Sequence, residues 1–207
     1  MADRYAEIAF SPKVQEHQRR NGSLRAYGPR TSGPAAGPVL LGPDERVFIG
    51  ARDSFYLSSV GESGWPYIQH RGGPRGFLQV LDNRTLAFAD FRGNRQYISR
   101  GNMDHDDKVA LFLMDYANST RLKIYGRARA VEASEDQELV ARLKPEGYRA
   151  HPERAMLISV EAYDWNCPQH IPQLFPIENV RATVNHYQQK IASLEAELAA
   201  LKAEKDN

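Results

Sequence analysis

From Ser54 to Glu132 the sequence is cut into short, strand-length runs separated by turn residues, and this spacing limits the fold more than any other feature of the chain. The runs are Phe55 to Val60, Pro66 to Arg71, Phe77 to Leu81, Thr85 to Asp90, Val109 to Tyr116 and Arg121 to Val131, and a last strand is expected at Met156 to Ala162. Gly61-Glu62-Ser63-Gly64 and Asp82-Asn83-Arg84 read as tight connections, and Asn118-Ser119-Thr120 as a third. A meander of closely spaced strands points to a small antiparallel barrel. Two interruptions read as helices: Asn94 to Met103, and Ser134 to Leu143 with Ser134 as N-cap ahead of Glu135 and Asp136. The fold class expected is therefore mainly β with flanking helices.

The flanks differ from this middle. Residues 11 to 25 carry many charges and few apolar anchors, and Gly28 to Gly42 is dense in Gly and Pro, so residues 1–42 are expected as an extended arm or linker. A short helix is predicted from Pro43, where Asp44 and Glu45 suit the helix dipole, and it opens the barrel domain of residues 43–175. Residues 176–207 change to helical periodicity. Ile177, Val180, Val184, Tyr187, Ile191, Leu194, Leu198 and Leu201 alternate spacings of three and four, which places Ile177, Val184, Ile191 and Leu198 at a and the other four at d. A parallel dimer of such helices sets Lys190 against Glu195 and Glu197 against Lys202 of the second chain. The alternative is a terminal helix lying on its own barrel.

Composition narrows the function classes. The 207 residues are 42% hydrophobic and 26% charged, the make-up of an ordinary globular chain with one sizeable core. The 27 Lys and Arg nearly cancel the 26 Asp and Glu, and no basic block tracks a phosphate backbone, which argues against a nucleic-acid partner. A single cysteine leaves no internal disulfide and fits a reducing compartment. Met1-Ala2-Asp3-Arg4-Tyr5 opens no apolar signal region and no run approaches the ~18 apolar residues of a membrane span, so the expectation is a cytoplasmic protein without a membrane partner.

Four stretches carry candidate chemistry. Gln69-His70-Arg71-Gly72-Gly73-Pro74 runs from a strand into a Gly-rich loop, where backbone N–H groups and the Arg71 guanidinium could converge on a phosphate; an ordinary turn has the same look. Asp90-Phe91-Arg92-Gly93-Asn94-Arg95-Gln96 repeats the logic at a helix start, with Asn94 and Arg95 as donors, against the alternative of an Asn cap beside surface arginines. Arg121 opens a long strand and could cover a ring system, pair with a carboxylate or stand as a surface charge. Asn166-Cys167-Pro168-Gln169-His170 reads as an amide-rich loop rather than a nucleophile or metal site, since one Cys and no suitably spaced His pair leave no ligand set. No G-x-S-x-G elbow signals a hydrolase.

These stretches, with Asp53 to Leu57, Gly64 to Pro74, Phe88 to Arg95, Arg121 to Ala128 and Trp165 to His170, resemble the pyridoxamine-5′-phosphate-oxidase-related FMN-binding proteins from about Tyr5 to about Phe175. The resemblance implies a split barrel that dimerises with FMN in the clefts between subunits and acts on a small-molecule substrate. It implies that Gln69, His70, Arg71 and Gly72 line the flavin edge and reach its phosphate, that Ala89 and Asp90 lie along the ring and ribityl chain, and that Asn94 and Arg95 hold the phosphate. It places Arg121 against the isoalloxazine and lets Asn166, Cys167, Pro168 and Gln169 close the site. The substrate-binding arginine and histidine near the carboxyl end of true pyridoxamine-phosphate oxidases have no counterpart, because the heptad helix occupies that region. Two further readings stay open: a non-enzymatic flavin carrier or sensor, and the same barrel binding a deazaflavin or haem.

Overall fold

The structure, a computed structural model, describes residues 3–34, 36–165 and 168–205. The chain divides into two compact units, Met1–Asp115 with Arg121–Cys167, and Tyr116–Thr120 with Pro168–Asn207.

The first unit begins with helices rather than the expected extended arm: α1 (Arg4–Ala9), α2 (Pro12–Arg20), α3 (Leu24–Tyr27) and a 3-10 turn (Gly28–Thr31). Their starts are chemically marked. The Asp3 carboxylate accepts from the Ala6 N–H at 2.7 Å, and Ser11 Oγ accepts from Val14 N–H at 3.4 Å ahead of Pro12 in the first turn. Tyr5 and Ala6 are buried against the sheet, which anchors a segment whose charged middle hid the helices from the sequence reading. Only the following stretch is extended, and it is tied down by Val39 N–H to Glu161 O and Leu41 N–H to Asn83 O. Helix α4 (Pro43–Gly50) starts where expected, with Glu45 reaching back to the Gly42 N–H at 2.9 Å.

Seven strands follow: β1 (Ser54–Val60), β2 (Pro66–Gly72), β3 (Gln79–Val80), β4 (Thr85–Phe91), β5 (Lys108–Asp115), β6 (Thr120–Glu132) and β7 (Pro152–Trp165). They form one antiparallel sheet in the order β2-β1-β5-β6-β7-β4-β3, the split barrel expected. In β1, β5 and β6 alternation fixes the inner face. Phe55 and Leu57 of β1, Val109, Leu111 and Leu113 of β5, and Leu122 and Ile124 of β6 point inward and are almost fully buried. Phe55 packs on Phe77 and Phe88 with ring centroids 5.7 and 5.4 Å apart, so the sheet closes on an aromatic centre. Strand β3 is shorter than the expected Phe77 to Leu81 because the Phe77 N–H closes a turn onto Pro74 O at 2.9 Å instead of joining the ladder.

Helix α5 (Ile98–His105) begins four residues after the expected Asn94, and α6 (Gln137–Leu143) is capped by Asp136, which accepts from Leu139 N–H at 2.8 Å, rather than by Ser134. Strand β7 extends four residues ahead of Met156, through the charged Glu153 and Arg154. In the second unit, α7 (Ile177–Lys205) is one 29-residue helix.

Candidate functional site

The register of three strands builds the site. Asp90 of β4 faces Arg154 of β7, and Arg154 faces Glu132 of β6, so three charges stand in one row across the sheet. Arg154 donates from Nη1 to Asp90 at 2.9 Å and from Nε to both Glu132 oxygens at 3.0 and 3.1 Å. The other Asp90 oxygen accepts from Arg71 Nη1 of β2 at 2.6 Å. Strands β2 and β4 lie far apart in the sheet order, so this ion pair records the sheet curling until its two ends meet. Ser99 Oγ of α5 adds a second tie, donating to Gln69 Oε1 of β2 at 2.7 Å.

Asp90 and Arg154 are each only 8% exposed, a burial that charged groups tolerate when every charge has partners. Burial works against the Arg154 charge, but hydrogen bonds to Asp90 and Glu132 outweigh it and hold its pKa above an already high value. Arg71 Nε is buried without a hydrogen-bond partner among the described residues. An unsatisfied buried guanidinium nitrogen costs on the order of 1–3 kcal/mol, which an anion or water would relieve.

A β-bulge between Asp90 and Phe91 turns the chain out of β4 into the loop that leads to α5. There Asn94 Oδ1 accepts from Gln96 N–H at 3.2 Å, and Arg95 and Tyr97 take left-handed φ values of 61° and 54°. A residue in that region cannot continue an α-helix, which is why α5 starts late. Each non-glycine residue held so costs on the order of 1 kcal/mol or more, and such residues gather at functional sites. Arg95 Nε donates to the Tyr97 hydroxyl at 3.4 Å, and the Arg154 guanidinium lies 5.4 Å from the Tyr97 ring.

A cavity of about 250 Å³ opens where β2, β4, this loop, α5 and β7 meet. Four arginines line it, Arg71, Arg95, Arg100 and Arg154, with the carboxylates Asp90 and Glu153, while Glu132 and Asp104 pair with Arg154 and Arg100. An adjoining cavity of similar size shares Arg71 and Asp90 and adds His70, Gly72 and Ala89. Every expected residue from Gln69 to Arg95 therefore lines one or the other. The Gly72-Gly73 turn is less open than the sequence suggested: Gly73 N–H is taken by Asp53 O at 2.9 Å, and a Cβ on Gly73 would sit 2.8 Å from the Phe77 ring. Its glycine serves the core.

Arg121 is placed elsewhere. It lies on β6 with its guanidinium 5.9 Å from the Phe112 ring, beside a hollow of about 500 Å³ on the outer face of β1, β2, β5 and β6, lined by Tyr56, Ile68, Ala110, Phe112 and Tyr125. Pro168 and Gln169 belong to the second unit and are exposed, while Asn166 and Cys167 lie outside the described residues. The sequence reading missed Arg100, Glu132, Glu153 and Arg154. The one available signal was the charge-rich Pro152-Glu153-Arg154 run before a strand, which reads as a turn unless its partners are known.

Fold and site together define a split-barrel protein with an arginine-lined pocket at the seam of its sheet. The sequence profile of the pyridoxamine 5′-phosphate oxidase family matches residues 42–166, and the chain belongs to that family. No curated protein matches it. Among solved structures it is similar in fold to HupZ of Group A Streptococcus, at 15% identity over 65% of this chain and 99% of that chain with a TM-score of 0.51. An FMN-binding protein from Syntrophomonas wolfei subsp. wolfei also matches, at 14% identity over 59% of this chain and 83% of that one with a TM-score of 0.46. An F420 reductase matches at 17% identity over 57% and 94%, with a TM-score of 0.41.

Proposed function

We propose that this protein binds FMN with its phosphate in the arginine-lined cavity, and that it works as a homodimeric FMN-dependent oxidoreductase on a small organic substrate. The observation that carries the reading is the pair of cationic groups open to an anion at that cavity: Arg71, whose Nε is buried without a hydrogen-bond partner among the described residues, and Arg95, exposed on the adjoining loop. Such a donor set fits a phosphate dianion. Asp90 and Arg154 would not touch the phosphate so much as hold Arg71 in place, since Asp90 grips both guanidinium groups. Arg95 stands exposed on the strained loop and can close over the anion.

The cavity of about 250 Å³ is smaller than the roughly 300–1,000 Å³ of pockets that enclose a whole ligand, so the rest of a flavin needs further walls. A second copy would supply them. The outer face of β1, β2, β5 and β6 is apolar and open, with Ile68 65% and Tyr56 40% exposed, as a subunit contact requires. Arg121, its Nε buried without a hydrogen-bond partner among the described residues and its guanidinium beside Phe112, is then the cation that biases the ring electronically. When bound, FMN supplies the redox chemistry, taking up and passing on a hydride or electrons. The protein's own residues orient the phosphate and exclude water from the seam.

The test is turnover. Purified protein loaded with FMN should oxidise NADH or NADPH with an artificial acceptor faster than free FMN. Retained flavin without such turnover would support a carrier instead.

A further inference from the structure

All eight a and d residues of α7, from Ile177 to Leu201, are exposed by 43% to 63%. At 1.5 Å per residue the 29-residue helix runs roughly 40 Å, so its apolar seam repeats over about four heptads. A seam of that length left in water is not a stable end state for a helix.

The charges beside the seam say what covers it. Within α7, Lys190, Glu195 and Glu197 have no residue of opposite charge three or four positions away, where intrahelical ion pairs form. They flank the seam instead, Lys190 and Glu197 at g, Glu195 and Lys202 at e. In a parallel, in-register pair each g residue faces the e residue five positions on in the other chain, which matches Lys190 to Glu195 and Glu197 to Lys202. Thr183 and Gln188 are matched without charge, so no such pair with a described side chain is repulsive. Ile177, Val184 and Ile191 at a, with Leu194 and Leu201 at d, favour two strands.

We propose that α7 pairs with α7 of a second copy of this chain as a parallel, in-register, two-stranded coiled coil. This contact is independent of flavin and of the sheet face. It gives the protein a dimerisation element outside the family's matched region, which ends at residue 166.

The test uses the full chain carrying Leu194→Cys, with the unaltered protein as control for crosslinking through Cys167. A parallel, in-register coil brings the two Cys side chains together at d, so mild oxidation should convert most of the variant to covalent dimer. Gln189→Cys, at the outward f position, should crosslink several-fold less. Lys190→Glu in the Leu194→Cys background should lower the yield several-fold, and adding Glu195→Lys should restore it. Crosslinking seen only when Val184→Cys chains are mixed with Leu194→Cys chains would mean antiparallel pairing and would overturn the proposal. So would a Leu194→Cys yield no higher than the control while circular dichroism shows the helix intact.

Discussion

At the scale of single residues the most consequential is Arg154, which the sequence offers as one more charge in a charged run and the structure makes the centre of a buried network. Removing one member of a buried ion pair leaves an uncompensated charge, typically at 3–5 kcal/mol. Arg71 stays on Asp90, so Arg154→Met should lie at the low end, about 3 kcal/mol less stable by urea unfolding; a loss below about 1 kcal/mol would show the network to be solvated. Asp82 makes a smaller, pH-dependent contribution. Its carboxylate accepts from Arg84 N–H at 2.7 Å and Thr85 N–H at 2.8 Å, and the backbone bond from Arg84 chiefly holds its pKa below the ordinary value. A depressed carboxylate stabilises the fold above the unfolded pKa, and that stabilisation disappears as pH falls through the lower folded value. Asp82→Asn keeps the acceptor but not the charge, so thermal melting of the two proteins should differ near neutral pH and converge in acid below the ordinary carboxylate range.

At the scale of elements, β6 and β7 meet at a bulge between Tyr125 and Gly126. A Cβ on Gly126 would lie 2.7 Å from Ile158 Cγ2 and 2.8 Å from the Ser159 carbonyl oxygen, and the second neighbour is backbone that cannot swing aside. Gly126→Ala should therefore destabilise by about 1–3 kcal/mol. Gly101 in α5 has open space around it, and Gly101→Ala should stabilise by roughly 0.5–1 kcal/mol, the opposite sign. Paired denaturant curves check both, and equal signs would contradict the packing described. The strands were legible because turn residues bound short runs of strand length, alternating at Phe55 to Val60 and continuously apolar from Leu86 to Ala89. The amino-terminal helices were not. Their caps, Asp3 and Ser11-Pro12, stand in the sequence, but α2 buries no residue and its charge density reads as an arm. The start of α5 was missed because left-handed φ at Arg95 and Tyr97 belongs to neither residue's propensity.

At the scale of the molecule, the candidate site exists because the sheet curls until β2 reaches β4, bringing Arg71 and Asp90, nineteen residues apart, within 2.6 Å. Strand-exit motifs at Gln69 to Gly72 and Asp90 to Arg95 were readable singly, since each sets arginine beside a glycine loop. Their convergence, and the arrival of Arg154 and Arg100 from β7 and α5, depends on tertiary closure that no local pattern encodes. The proposed flavin site depends on that convergence making a phosphate cradle. Its most direct test is the visible absorption spectrum of purified protein after FMN is added and the excess removed, compared between the unaltered chain and Arg71→Ala with Arg95→Ala. Protein-bound flavin bands are expected in the first and are lost in the folded variant. A colourless unaltered protein, or a variant that keeps its flavin, would overturn the proposed site.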